Sequence, residues 1–310
     1  MRNAIRLIML ICLFAAVCER TRGQGDHPWI EVASADDLFR ISMPIKPVET
    51  TQTARYGPIG ASSKLFDSTF GDARYAVWSL NDARYSSAQD VDEYLDACAD
   101  LIWEDLLKPA RDQVSDKDRA WSRMNYVGEL PANPLPGREY SFTVGTLTGA
   151  IEFFVARSRI YVLLAAHVPG GEWSPGKFFP SFTSSATLPM PAQLDADPRS
   201  SRTAQANTDP NDYNRVFSGR EVTQKVRVLE KPEPTYTESA RKYAIQGTVI
   251  LRCVFSKDGD VTNFHIVRKL PHGLTQQSIK AARAIRFTPA MKDGQPVSMF
   301  MELQYNFNLF

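Results

Sequence analysis

Alternation of apolar and polar residues separates the chain into two structured regions joined by a polar segment. In the first region, residues 26–186, several stretches alternate as half-buried strands do. These stretches are residues 39–44, 73–80, 138–145, 151–158 and 159–168. Apolar residues recur at helical spacing over 90–107. This order predicts an α+β domain with a largely antiparallel sheet, with turns at Gly149 and at residues 157–159.

The second region, residues 222–310, reads as a helix, a β-hairpin, a second helix and a final strand. The predicted elements are a short helix capped by Thr237, strands at 247–256 and 261–270, a helix at 274–286 and a strand at 298–310. Asp258-Gly259 supplies the positive-φ positions of the hairpin turn. The helix at 274–286 is expected to cover one face of a three-stranded sheet.

The final strand has the clearest alternation in the chain. One face carries Met299, Met301, Leu303, Tyr305, Phe307 and Leu309, and the other carries Glu302, Gln304, Asn306 and Asn308. Because the strand runs almost to the last residue, nothing after it in the chain covers its outer edge. An open edge predicts pairing with an extended peptide or with a second copy of the chain, or else an edge kept soluble by its polar residues.

The amino terminus has the pattern of an export signal. Arg2 and Arg6 precede a 12-residue apolar run, 7–18. As a helix this run would span roughly 18 Å, which is shorter than the ~30 Å membrane core. We therefore predict a signal peptide over 1–25 and a periplasmic protein. An uncleaved inner-membrane anchor facing the periplasm and a lipid anchor are the alternatives, so membrane attachment is open.

Residues 187–221 have no periodicity and are rich in Pro, Ser, Thr, Asn and Asp, which predicts a flexible linker. Charge also changes across this segment. Residues 26–186 hold 22 acidic and 15 basic residues, a net charge of −7, whereas residues 222–310 hold 7 and 13, a net charge of +6. Apolar residues make up 43% of the chain, as in globular proteins, so the chain as a whole is not disordered.

The sequence gives no sign of a catalytic, cofactor or metal site. It has no GxSxG, GxGxxG, P-loop, HExxH or CxxC motif, and its four histidines are scattered. Cys98 and Cys253 lie on apolar faces and are expected as buried free thiols. The carboxylates of helix 90–107 are expected mostly on its solvent side. The predicted export and the dispersed positions of the lysines and arginines of 222–310 argue against binding of nucleic acid. These residues are expected to form a solvated basic surface, or one that steers an acidic partner.

The order and spacing of turn and element-end residues in the second region resemble those of the TonB carboxy-terminal domain over about 80 residues. The matching strings are Pro232…Tyr236…Ala240-Arg241, Ile245-Gln246-Gly247-Thr248-Val249, Asp258-Gly259-Asp260-Val261, Pro271-x-Gly273-Leu274, Ala284-Ile285-Arg286-Phe287-x-Pro289-Ala290 and Gly294-Gln295-Pro296-Val297. The resemblance implies a three-stranded antiparallel sheet with two helices. The sequence departs from the family at Tyr236-Thr237, where Tyr-Pro is usual, and it lacks the long Pro-rich spacer of TonB.

The first region is similar, at the level of pattern, to the PsbP-like domains of exported bacterial proteins. The likeness rests on residues 39–47, helix 90–107, residues 134–144, the apolar run from 151 and the closing 178–182. It implies an α/β/α sandwich that binds a ligand, with Pro136-Gly137-Arg138-Glu139 as the turn into a central strand. It implies no reaction.

The TonB resemblance implies that the final strand pairs with an extended segment of an outer-membrane transporter. By position, the implied partner-binding residues are Pro234, Tyr236, Met299, Met301, Leu303, Tyr305, Asn306 and Phe307. The predicted function is a periplasmic protein that binds this segment by strand addition, with a possible role in energy-dependent transport. The alternatives are a soluble envelope adaptor or dimerising protein without energy transduction, and an exported hydrolase with an unrecognised site.

Overall fold

The computed structural model describes residues 28–52, 55–56, 59–60, 63–81, 91–131, 135–156, 159–186 and 213–309. It divides into two compact units, Met1–Ala192 and Gln193–Phe310. The predicted signal peptide and residues 187–212 of the predicted linker lie outside the described residues. Among those described, no helix is both long and apolar enough to cross a membrane.

The first unit is built on a seven-stranded sheet in which every pair of neighbouring strands is antiparallel. In spatial order its strands are β3 (Val48–Gln52), β6 (Ser63–Phe70), β7 (Ala73–Asn81), β11 (Arg159–His167), β10 (Leu147–Ala156), β9 (Gly137–Val144) and β8 (Arg123–Leu130). A separate small pair is formed by β4 (Arg55–Tyr56) and β5 (Ile59–Gly60). The predicted strands at 73–80, 138–145 and 159–168 are present, whereas β3, β6 and β8 have no counterpart in the sequence prediction.

A long helical segment packs against β9 through a buried arginine. The segment is α1 (Val91–Leu101), a π-helical turn over Ile102–Leu107 and α2 (Lys108–Arg111), and α3 (Asp116–Trp121) follows. Arg138 on β9 is fully buried and bonds to Asp92, Asp96 and Glu129, with Nε 2.7 Å from the Glu129 carboxylate. Part of the acidic face of α1 is therefore paired rather than solvated, which corrects the sequence expectation.

A small three-stranded sheet covers the other face of the large sheet. It consists of β2 (Phe39–Met43) between β1 (Ile30–Ser34) and β12 (Thr183–Ser184), with α4 (Pro175–Phe178) and a 3₁₀ turn over Phe179–Ser181 beside it. Phe39, Ile41 and Met43 pack here against side chains of β7 and β11. The unit is mixed and mostly sheet, and this layer is a sheet with short helices rather than the helical layer expected of an α/β/α sandwich.

Gly149 lies inside β10 and not in the predicted turn. It is paired with Phe142 of β9 and Ala166 of β11, and a Cβ at this position would stand 2.2 Å from the carbonyl oxygen of Ala165. The glycine therefore permits a close approach of two strands. The turn between β9 and β10 contains Gly145, whose φ is +62°.

The second unit contains a sheet in the order β13 (Val216–Phe217), β19 (Gln295–Phe307), β15 (Gly247–Phe255), β16 (Val261–Arg268). Strand β18 (Ala290–Lys292) also pairs with β19, and β14 (Arg227–Glu230) pairs with β17 (Arg286–Thr288). The helices are α5 (Glu238–Lys242) and α6 (Leu274–Arg283). Thr237 caps α5 as predicted, since its Oγ1 accepts from the Ala240 N–H at 3.2 Å.

Strand β13 corrects the predicted linker boundary. Residues 187–221 are expected as flexible linker, but Val216 and Phe217 pair in parallel with Ser298 and Met299 of β19. Phe217 is fully buried in a cluster with Ala290 and Met299. The segment from 213 onward is thus part of the second unit. Burial of Phe217 stabilises β13, although this strand is too short to show periodicity in the sequence.

Candidate functional site

The side chains of β19 alternate between core and solvent as the sequence predicts. Met299, Leu303, Tyr305 and Phe307 are buried, and Met301 is half-buried. Glu302, Gln304 and Asn306 are exposed, as is 49% of Phe300. Of the β19 side chains predicted to bind a partner, Asn306 is therefore exposed and Met301 partly so, whereas the others belong to the core.

The two edges of β19 are covered to different extents. On one side β15 pairs along the strand from Phe255↔Met299 to Gly247↔Phe307 without a register shift. On the opposite side β13 pairs only with Ser298 and Met299. Within the described part of the chain, no strand pairs with residues 300–307 on that side. We call this stretch the open edge.

Two contacts show which main-chain groups of β19 point toward the open edge. The carbonyl oxygen of Gln304 accepts from Lys231 Nζ at 2.8 Å, and therefore points away from β15. The carbonyl oxygen of Met301 lies 3.7 Å from Sγ of Cys253, directly opposite on β15, and therefore points toward β15. Successive residues of a strand direct their N–H and C=O groups to alternate sides. Residues 302, 304 and 306 thus present these groups at the open edge.

β13 closes one end of the open edge and is firmly anchored. The Arg215 guanidinium stacks on the Phe217 ring with its carbon 3.9 Å from the centroid, and it also bonds to Glu221 at 2.6 Å. Hydrogen bonds from Arg215 and Ser218 lower the pKa of the Glu221 carboxyl to about 2. The turn after β13 is therefore fixed by an ionised carboxylate at neutral pH.

The segment after β14 flanks the other end of the open edge. Pro234 and Tyr236 are half-buried, and the Tyr236 ring meets the Phe307 ring edge-on with 5.6 Å between centroids. The Tyr236 hydroxyl donates to the carbonyl of Ile245, and the Arg241 guanidinium carbon lies 4.9 Å from the Tyr236 ring centroid. Of the two predicted residues, Tyr236 thus lies at the end of β19, where its ring contacts that of Phe307.

The inner face of β19 also contains a polar group without a partner. Tyr305 is 1% exposed, and among the described residues its hydroxyl has no hydrogen-bond partner. Burial raises the pKa of Tyr305 to about 12, with a smaller contribution from Glu233. Cys98 and Cys253 are buried free thiols, as predicted, and burial raises the pKa of Cys253 to about 12.

The described residues form no cluster of His, Cys, Asp and Glu that could hold a metal ion. A serine–histidine contact exists in the second unit, where Ser239 Oγ lies 2.7 Å from His272 Nδ1. His272 is 2% exposed and its ring packs on Tyr243 at 4.7 Å. The contact is part-buried and joins α5 to the loop before α6, where the two polar side chains satisfy each other.

Comparison with known proteins matches residues 232–309 to the family model described as Gram-negative bacterial TonB protein C-terminal. No curated protein matches the chain at a significant level. The solution structure of the Pseudomonas aeruginosa TonB C-terminal domain is similar at 18% identity, covering 31% of this chain and 96% of that one, with a TM-score of 0.26.

A cyanobacterial PsbP from Synechocystis sp. PCC 6803 resembles the amino-terminal part at 9% identity, covering 54% of this chain and 98% of that one, with a TM-score of 0.34. Both TM-scores lie below 0.5, so nothing about function follows from these two likenesses. The family match contains both flanking residues, Pro234 and Tyr236, and the whole of β19. Residues 232–309 therefore match the family of TonB C-terminal domains, as the sequence resemblance predicts.

Proposed function

We propose that this is an exported envelope protein whose C-terminal domain binds an extended segment of an outer-membrane transporter by strand addition to β19. The observation that carries the proposal is the open edge within a TonB-type domain. Its outward main-chain groups at 302, 304 and 306 match what an incoming strand requires. The binding involves main-chain hydrogen bonds and no covalent step, so we propose a non-enzymatic role.

The sheet has a second edge, β16, which is less suited to pairing. Its pairing with β15 shifts register twice, between Ile250 and Leu251 and between Arg252 and Val254. Asn263 within β16 has φ of +51°, which a regular strand does not contain. Such bulges twist an edge and block regular addition of another strand. This difference favours β19, whose pairing with β15 is regular over nine residue pairs.

The open edge also limits the length of the bound segment. Eight residues from Phe300 to Phe307 extend roughly 24 Å at about 3.4 Å per residue. At one end β13 already pairs with β19 and blocks a longer partner strand, and β13 is held in place by its own buried Phe217. We therefore expect a partner segment of about five to eight residues in extended conformation.

Two other functions use the same chain differently. A second copy could cover the open edge, giving a dimer or an adaptor without energy transduction. A hydrolase would need a base that its substrate can reach, and His272, the histidine beside Ser239, is only 2% exposed. The polar β19 edge favours the peptide over the hydrolase, and the choice between peptide and second copy is decided by experiment.

A photocrosslinking amino acid introduced at Gln304 or Asn306 of the full chain tests the proposal in cells. We expect covalent adducts with an outer-membrane transporter from both positions. The matched control is Thr262 on β16, an exposed residue on the other edge, which should give none. Adducts with a second copy alone would establish the dimer instead, and adducts from Thr262 but not from Gln304 or Asn306 would refute the assignment of the edge.

Whether the protein transmits force depends on its attachment to the membrane. A pulling role requires an anchor, whereas capture of a peptide does not. We propose a periplasmic location after export, with an inner-membrane anchor as the alternative. Cell fractionation with sequencing of the mature amino terminus separates the two, since a soluble protein lacking residues 1–18 excludes direct force transduction.

A further inference from the structure

The side chain of Lys231 donates a hydrogen bond to a main-chain carbonyl in the middle of the open edge. It directly follows Glu230, the last residue of β14, whose pairing with Arg286 of β17 fixes the main chain at this point. The side chain is exposed and crosses to β19, where Nζ lies 2.8 Å from the carbonyl oxygen of Gln304. The ammonium also lies 4.4 Å from the centroid of the Tyr305 ring. Both contacts are made by the flexible end of the side chain.

We propose that Lys231 is an exchangeable cap on the open edge, which a partner strand must displace in order to bind. The inference rests on the proposed function of the same edge and adds a residue that controls access to it. A peptide paired with β19 needs the Gln304 carbonyl for one of its own N–H groups. In the free protein that carbonyl is already bonded, and a positive charge stands beside the neighbouring acceptors.

The physical reason for such a cap is the instability of a bare edge. Unpaired main-chain groups pair readily with any second strand, and a lysine over the edge opposes this by charge and by competition. A lysine can also leave, since its long side chain reaches water by rotation about single bonds. The cap therefore selects for partners that form several main-chain hydrogen bonds at once over those that form one or two.

The test compares the wild-type full chain with Lys231→Met, which keeps an unbranched side chain one atom shorter and removes the donor. Fluorescence anisotropy measures binding of labelled seven- to eight-residue peptides taken from periplasm-facing segments of outer-membrane transporters. We expect Lys231→Met to bind about threefold to tenfold more tightly, because one charged hydrogen bond no longer competes. Lys231→Arg, which can donate to the same carbonyl, should stay close to the wild type.

Lys280→Met is the matched control for loss of charge, since Lys280 is an exposed lysine on α6 away from β19. An equal gain in affinity for Lys280→Met would overturn the cap, because net charge alone would explain the effect. Where the wild type binds a peptide, equal or weaker binding by Lys231→Met would overturn the cap as well, and weaker binding would make Lys231 a contact of the bound peptide.

A measurement without any peptide separates this inference from the proposed function. If the cap exists, Lys231→Met should move the carbonyl ¹³C resonance of Gln304 upfield and leave that of Ile250, opposite it on β15, in place. The variant should also self-associate more strongly in sedimentation. Absence of peptide binding by every variant, together with the shift at Gln304, would remove the proposed partner and keep the cap. No shift at Gln304 would overturn the cap whatever the peptides do.

Discussion

Proline substitutions at two adjacent positions of β19 should have opposite consequences, because neighbouring residues direct their N–H groups to opposite edges. Residue 305 directs its N–H toward β15, opposite Val249, whereas residue 306 directs its N–H toward the open edge. Proline removes the N–H in each case. Tyr305→Pro should therefore unfold the domain, and Asn306→Pro should leave it folded and weaken the binding of a partner strand.

The magnitudes follow from the contacts. Tyr305→Pro leaves a buried acceptor of the ladder without its donor, at about 1–3 kcal/mol, and removes a fully buried aromatic side chain, at about 3–5 kcal/mol. The total, about 4–8 kcal/mol, is comparable to the whole stability of a small domain. Asn306→Pro breaks only the exposed bond between Thr248 Oγ1 and Asn306 Oδ1, which is 2.7 Å long, so it should cost about 1 kcal/mol.

Asn306→Ala is the matched control, because it loses the same side-chain bond and keeps the N–H. Loss of one main-chain hydrogen bond costs about 0.5–1.5 kcal/mol, and the proline ring also obstructs the incoming strand. We therefore expect Asn306→Pro to bind the transporter peptides about tenfold more weakly than Asn306→Ala, by anisotropy, with both variants folded by circular dichroism. Equal affinities for the two, or a folded Tyr305→Pro beside an unfolded Asn306→Pro, would refute the assignment of outward groups.

Three further substitutions test the interior. Tyr305→Phe should raise the unfolding free energy by about 1 kcal/mol in urea titration, because it removes a buried hydroxyl without a bonding partner among the described residues; a loss of stability would show that the hydroxyl is bonded. Burial, together with Glu139 opposite it, raises the pKa of Glu152 to about 7, so the folded state favours the protonated acid and loses stability as pH rises from about 4.5 through 7. Glu152→Gln should therefore stabilise the fold by about 1–2 kcal/mol at pH 8, after allowance for solvent screening, and very little at pH 4; a difference independent of pH would contradict this. Arg138→Met leaves three carboxylates without their buried cation and should cost about 3–5 kcal/mol at pH 7, less in acid, by thermal unfolding; a variant as stable as the wild type would show that the carboxylates find other partners.

The sequence predicts well those elements whose signals are local. The alternation of β19, the cap at Thr237 and the burial of Cys98 and Cys253 follow from residues a few positions apart, and the structure contains all of them. Each depends on a period of two or 3.6 residues or on one side chain bonding to the adjacent turn. Tertiary packing has little opportunity to override such signals.

Features that depend on distant partners are the ones that the sequence does not predict. The ion network of α1 joins Asp96 to Arg138, and no spacing within the helix distinguishes a paired aspartate from a solvated one. The sequence predicts a turn at Gly149 because glycine is common in turns. In the structure this position requires glycine because a neighbouring strand approaches closely. β13 has only two residues, too few for any periodicity, and it is stabilised by Phe217, whose buried partners lie beyond position 289.

The open edge shows why the two faces of a strand follow from its sequence whereas its free main-chain groups do not. Alternation of side chains distinguishes the two faces of β19, and the predicted partner residues are mostly those of the buried face. Which main-chain groups are free depends instead on which residues bond to β15, and the register shows this only when the partner strand is in place. Contacts at Met301 and Gln304 determine that register from opposite edges of the strand. The proposed peptide capture would then depend on the main chain at 302, 304 and 306, and substitutions of the neighbouring buried side chains would report on stability rather than on recognition.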